Sequence, residues 1–180
     1  LSARLFWLIF VVLGAVLQGS GTTETLSQLS NVDAMGGAFT IAFCAGIIVT
    51  VMTKYSLPIS TGQAIVGAII GWSIYSANPV EYNVLRQIVG SWVFGPILGA
   101  AFAYVLYLLM QRLIRKSKMH MLKMESIIRI SLIVVGAFAA YSLGANNIAN
   151  VMGVFVNSFN VSLSIGSFVI SSTQLLFFIG

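Results

Sequence analysis

Two short segments of this chain carry most of the residues able to hold a small ion. The first, Leu57-Pro58-Ile59-Ser60-Thr61-Gly62-Gln63-Ala64, sets two hydroxyls and a glycine just after a proline. Proline suits the first turn of a helix, so Ser60, Thr61 and Gly62 would offer N–H groups and hydroxyls at a helix N-terminus, where the dipole and unpaired donors favour an anion. The same residues would also serve as an N-cap at an ordinary interfacial turn. The second, Gly144-Ala145-Asn146-Asn147-Ile148-Ala149-Asn150, holds three amides within five residues. Asn146 and Asn150 share a face of a helix, and Gly144 supplies a flexible break ahead of them. Amide oxygens can coordinate a hard cation and amide N–H groups can donate to an anion; hydrogen bonding between helices is their other use.

The elements that must position these segments are set by composition. With 58 % hydrophobic residues among 180, nine basic and four acidic side chains and a mean hydropathy of +0.99, the chain is too apolar for a soluble domain. A spanning helix needs roughly 20 mainly apolar residues. Such stretches run Leu5–Gln18, Gly36–Met52, Ser60–Tyr75, Ile88–Met110, Ile127–Leu143 and Val161–Ile179. The expected fold is therefore all-α and polytopic, with no cleaved signal peptide. The single Cys44 excludes an internal disulfide, and the lone His120 excludes a site built from several His and Cys ligands.

Threading the spans alternately puts Arg4, Lys54, Arg112, Arg115, Lys116, Lys118, Lys123 and Arg129 on one face, and Glu24, Asp33 and Glu81 with Arg86 on the other. The positive-inside rule makes the first face cytoplasmic, including the basic loop 111–125, and places the chain in a plasma membrane of bacterial or archaeal inner-membrane type. That loop reads as an orientation signal beside anionic lipid, without the interleaved aromatics of a nucleic-acid surface. Gly67-x-x-x-Gly71 and Gly95-x-x-x-Gly99 permit close approach between spans, and glycine-rich faces are compatible with a homodimer. Lys54 either reaches an anion or snorkels at the interface. Asn160-Val161-Ser162 is a chance sequon, and Met119, Met121 and Met124 read as apolar contacts. No nucleophile is paired with a base, so an enzyme is not expected.

Three crossings separate Pro58 from Gly144, so the two segments would approach the bilayer middle from opposite sides. As one straight helix, Ile127 to Val156 would run on the order of 45 Å against a core of roughly 30 Å, which predicts a break or strong tilt. Broken helices meeting at the midplane between inverted repeats characterise many secondary transporters.

These residues resemble the inorganic phosphate transporters of the PiT type, cation-coupled phosphate carriers. That family carries a GANDVAN signature and a P-[IV]-S-T-T-H-A signature, each once per inverted half. Gly144–Asn150 reads GANNIAN and Pro58–Ala64 reads PISTGQA, continued by IVGAIIGW; Ser91-Trp92 through Pro96 and Leu13-Gly14-Ala15 through Thr23-Glu24-Thr25 agree as well. The family order places GAND before PISTTH in each half. Here the order is reversed, which predicts a partial chain: residues 1–110 as the later part of one half, 111–125 as the basic loop and 126–180 as the opening of the next.

The resemblance implies that Ser60, Thr61, Gly62, Asn146 and Asn147 bind phosphate, and that Asn146, Asn147 and Asn150 bind sodium, with no cofactor beyond a sodium ion or proton as coupling ion. Three departures each remove a charge, a hydroxyl or a titratable group. Asn147 stands for the family's Asp, Gly62 and Gln63 stand for its Thr and His, and Val11 aligns with a common glutamate. A cation bound only by neutral oxygens loses much of its attraction. Three readings follow: a coupled carrier of phosphate, or of a related oxyanion such as sulfate; a passive anion pore; and a non-transporting relative.

Overall fold

The computed structural model describes residues 3–29, 32, 34–116, 121–158, 163–165, 168–170 and 177. Five helices follow in order: α1 (Ala3–Leu29), α2 (Met35–Lys54), α3 (Thr61–Ser76), α4 (Tyr82–Lys116) and α5 (Met121–Met152). Two three-residue strands, β1 (Leu163–Ile165) and β2 (Phe168–Ile170), pair antiparallel after them. Among the described residues four helices, α1, α2, α4 and α5, are long and apolar enough to cross a membrane. Apart from that short strand pair the described residues are helical, as expected of an all-α polytopic membrane protein. At 16 residues, α3 is about 24 Å long and falls short of the roughly 30 Å core.

The chain divides into two units, one of residues 1–81 with 137–180 and one of Tyr82–Gly136. In the first, α2 and α3 form a tight helical hairpin. Its turn places Ser56 at φ 56°, and a Cβ on Gly37 would lie 2.7 Å from Trp72 Cζ2, so glycine lets the indole pack flat on α2. Ala38, Ile41, Ala45, Ile65, Val66 and Ile69 fill the interface. In the second unit α4 carries apolar side chains all round, with Pro96 inside it, as suits a helix solvated by lipid.

Hydroxyls along the first unit are satisfied locally. Thr23 Oγ1, almost wholly buried, donates to the Gly19 carbonyl at 2.8 Å, Thr40 to Gly36 at 2.8 Å, and Ser73 to Ile69 at 2.9 Å. This back-bonding lets polar residues sit inside long helices without orphaned donors. It explains why α1 continues to Leu29 through Gly19-Ser20-Gly21-Thr22-Thr23, where the apolar stretch alone had ended near Gln18.

Three expectations are corrected. Gly144 does not break the chain: α5 runs unbroken through the asparagine segment to Met152 and turns only from Gly153. The glycine is consumed in packing instead, because a Cβ on it would collide with the Val11 carbonyl. Within the described residues the Gly67/Gly71 and Gly95/Gly99 pairs make no close helix approach, with nothing within 4 Å of where their Cβ atoms would sit. Of the sixth expected span, Val161–Ile179, most lies outside the described residues, and Leu163–Ile165 pairs with Phe168–Ile170 as strands. There the sequence alternates Val161, Leu163 and Ile165 with serines and places Gly166-Ser167 between the runs, the period and turn chemistry of a hairpin.

The basic segment 111–125 is largely helical. Gln111–Lys116 ends α4 and Met121–Glu125 begins α5, leaving 117–120 outside the described residues.

Candidate functional site

Ser60 begins the site. With φ −91° and ψ 123° it is the N-cap of α3, its Oγ accepting from the Gln63 N–H at 3.4 Å and its carbonyl from the Ala64 N–H at 3.0 Å. Pro58 therefore precedes the cap rather than entering the first turn. The N–H groups of Thr61 and Gly62 stand ahead of the helical ladder and have no intrahelical acceptor. The far end of α3 closes on Ala77 in the left-handed region, with the Ala77 N–H returned to Ser73.

The asparagine segment reaches this N-terminus through one residue. Asn150 Nδ2 donates to Thr61 Oγ1 at 3.3 Å, across 89 residues of sequence. The Thr61 hydroxyl accepts through its oxygen and so keeps its own proton to donate outward. Gly62 faces the same amide: a Cβ there would lie 3.5 Å from Asn150 Oδ1 and 3.8 Å from Ser60 Oγ. Ser60 and Thr61 are exposed, Gly62 and Asn150 half-buried. The arrangement joins two backbone donors, two hydroxyls and an amide around one helix end, which suits a small oxyanion.

Asn146 and Asn147 do not join that cluster. Asn146 is exposed and makes no side-chain hydrogen bond among the described residues. Asn147 instead lines a 270 Å³ cavity with Val11, Val12, Ala15, Gly144, Ile148, Val151 and Phe177. The two positions at which the family resemblance expects a carboxylate, Val11 and Asn147, thus border one cavity, and both are neutral. At its base Ala15, Ile148 and Phe177 are buried together, with Met152, Phe155 and Val156 against them.

Glycines set the depth of this cavity. A Cβ on Gly144 would strike the Val11 carbonyl, one on Gly14 the Tyr141 carbonyl and one on Gly19 the Ile148 side chain. Beyond the crossing, a Cβ on Gly153 would lie 3.3 Å from the Leu26 side chain, so α1 and the chain leaving α5 advance side by side. The turn after α5 is tied to α1 and its exit: Asn157 Nδ2 donates to the Ser27 carbonyl at 3.2 Å, and Ser158 Oγ to the Val32 carbonyl at 3.0 Å. Sequence reasoning missed this crossing. Its signal was present in the paired Gly14-Ala15 and Gly144-Ala145 steps, the first of which was read only as part of the family pattern and the second as a break in the helix.

The pattern that defines the phosphate transporter family matches the chain over residues 1–180. The chain belongs to the phosphate transporter family. Among similar proteins, a "Putative phosphate permease" of Methanocaldococcus jannaschii is 36 % identical over 99 residues, covering 54 % of this chain and 33 % of that one. The sulfate permease CysP of Bacillus subtilis is 31 % identical over 156 residues, covering 81 % of this chain and 41 % of that one. The chloroplastic inorganic phosphate transporter 2-1 of Arabidopsis thaliana is 30 % identical over 112 residues, covering 56 % of this chain and 19 % of that one. The chain spans about a third of the length of the first of these relatives. No solved structure matches it. Family membership and four membrane-length helices together make this a multi-pass membrane protein of a permease family.

Proposed function

We propose that this chain supplies part of a secondary active transporter of inorganic phosphate, coupled to sodium or to protons, in which the N-terminus of α3 receives the anion. The observation that carries the reading is the Asn150–Thr61 hydrogen bond, which joins the two segments singled out by chemistry across 89 residues. Phosphate would take the N–H groups of Thr61 and Gly62 and the hydroxyls of Ser60 and Thr61, with Asn150 holding the threonine in place. Asn146 and Asn147 would contribute only where the anion or a cation moves along α5. A coupling cation at Asn147 would find amide oxygen but no carboxylate, so the charge that drives coupling belongs to another part of the full-length protein.

A related oxyanion is favoured by one specific observation: the sulfate permease of Bacillus subtilis matches 81 % of this chain. Sulfate carries no proton at neutral pH and needs donors alone. Hydrogen phosphate also presents an O–H that needs an acceptor, and here only neutral oxygens are at hand. Uptake of radiolabelled phosphate into proteoliposomes holding the full-length protein tests both readings, with sodium and proton gradients imposed separately and excess sulfate as competitor. Saturable, gradient-driven, sulfate-resistant uptake that falls to background in S60A/T61A supports the phosphate carrier. Uptake abolished by sulfate transfers the reading to a sulfate permease, and flux linear in driving force would make the protein a passive pore.

A further inference from the structure

The C-terminal end of α4 has a feature that anion transport does not use. α4 is 35 residues long, about 52 Å, so it outruns a hydrocarbon core of roughly 30 Å by several turns. Along one face of its last turns, Tyr107, Met110, Gln111, Ile114 and Arg115 line a 340 Å³ groove. The order along the helix is amphipathic: Met110 and Ile114 give the groove an apolar wall, while Tyr107, Gln111 and Arg115 supply polar ends. Gln111 Nε2 donates to Tyr107 Oη at 3.4 Å, which leaves the phenol proton directed away from the glutamine.

Charge decides what such a groove accepts. Arg112, Arg115, Lys116, Lys118 and Lys123 fall within twelve residues, and the one carboxylate nearby, Glu125, is taken by Arg129 at 3.2 Å. Among the described residues no carboxylate pairs with Arg112, Arg115 or Lys123. A membrane helix that leaves the core through a tyrosine, an amide and then unpaired guanidinium groups matches a phospholipid in the same order. We propose that this groove is a binding site for an anionic glycerophospholipid, its acyl chain along the apolar wall of Met110, its ester carbonyl accepting from the Tyr107 hydroxyl and its phosphodiester on Arg115, with Arg112 adding charge. A guanidinium fork fits two phosphate oxygens at once, which a lone ammonium does not.

The test is native mass spectrometry of the full-length protein released from vesicles of equal phosphatidylglycerol and phosphatidylcholine. The wild type is expected to retain phosphatidylglycerol in preference to phosphatidylcholine. That preference should be lost in R112Q/R115Q and unchanged in R86Q, at the opposite end of the same helix, while Y107F should lower the amount of lipid retained without changing the preference. Y107F removes one oxygen from an exposed side chain and so guards against misfolding as the cause. Equal phosphatidylglycerol retention by R112Q/R115Q and wild type would overturn the proposal, as would displacement of the lipid by millimolar inorganic phosphate, which would make the groove a site for the free anion.

Discussion

Replacing Gly144 with alanine puts one methyl group into the tightest contact of the α1–α5 crossing. The added Cβ would meet the Val11 carbonyl oxygen and lie 2.7 Å from its carbon and 2.9 Å from Cα, where ordinary contact begins at 3.4 Å. All three atoms are backbone, so no side chain can swing aside. The helices would have to part by roughly an ångström, and overpacking of this kind costs about 1–3 kcal/mol. The same separation would shift Asn150, six residues further along α5, against Thr61. Thermal unfolding of the full-length protein in detergent, read beside uptake, should therefore show G144A melting early and transporting less. Two glycines serve as controls: Gly67 has nothing within 4 Å, and at Gly62 the nearest atom is 3.5 Å away, so G67A and G62A should melt with the wild type. If G144A melts with these controls, the close crossing is not part of the folded protein and the reasoning fails.

Other substitutions address the remaining parts of the site. N150A removes the donor to Thr61 and should cost about 1 kcal/mol of stability while raising the KM for the transported oxyanion, which initial-rate uptake measures; an unchanged KM would detach Asn150 from the anion site. V11E/N147D introduces carboxylates beside one cavity and should make uptake more dependent on a cation gradient, checked by the sodium dependence of initial rates. E125Q breaks an ion pair whose partners are 74 % and 63 % exposed, so the melting temperature should move little, in line with the roughly 0–1 kcal/mol of surface pairs.

Much of the fold was legible because lipid imposes simple rules. The expected third stretch, Ser60–Tyr75, matches α3 as a helix to within one residue at each end, since Ser60 is its cap and Ala77 closes it in the left-handed region, but at 16 residues it is too short to cross. α1 and α5 were underestimated for one reason: their polar halves looked too costly for a helix, yet threonine hydroxyls in α1 return to carbonyls four residues back, and in α5 the Asn150 amide bonds Thr61 of α3. Of the final stretch, 161–179, only 163–165, 168–170 and 177 are described; the strand pair there follows the alternation of Leu163 and Ile165 with serine rather than the overall apolarity that suggested a span. At the site, the four-residue spacing of Asn146 and Asn150 put them correctly on one face. It could not tell which of the two would meet Thr61, because that depends on how far along α5 the α3 N-terminus falls.

The two halves of the site converge on one rod. Between Tyr141 and Asn150, α5 is unbroken, and over that length it meets a carbonyl-to-glycine crossing with α1 on one face and the capped N-terminus of α3 on another. A helix of this length bends little, so a shift of α5 away from α1 carries Asn150 with it and changes its contact with Thr61. G14A offers a way to see this coupling, because its Cβ would strike the Tyr141 carbonyl just as that of G144A strikes Val11. Once either methyl has parted the helices, the second finds room, so the destabilisation of G14A/G144A should fall short of the sum of the single changes by more than the ~0.5 kcal/mol expected of independent sites. Adding N150A to G144A should likewise cost less than N150A alone, since the hydrogen bond would already be weakened. Strict additivity in both cycles would mean that the α1 crossing and the α3 N-terminus act independently, and the anion site would then be built without help from α1.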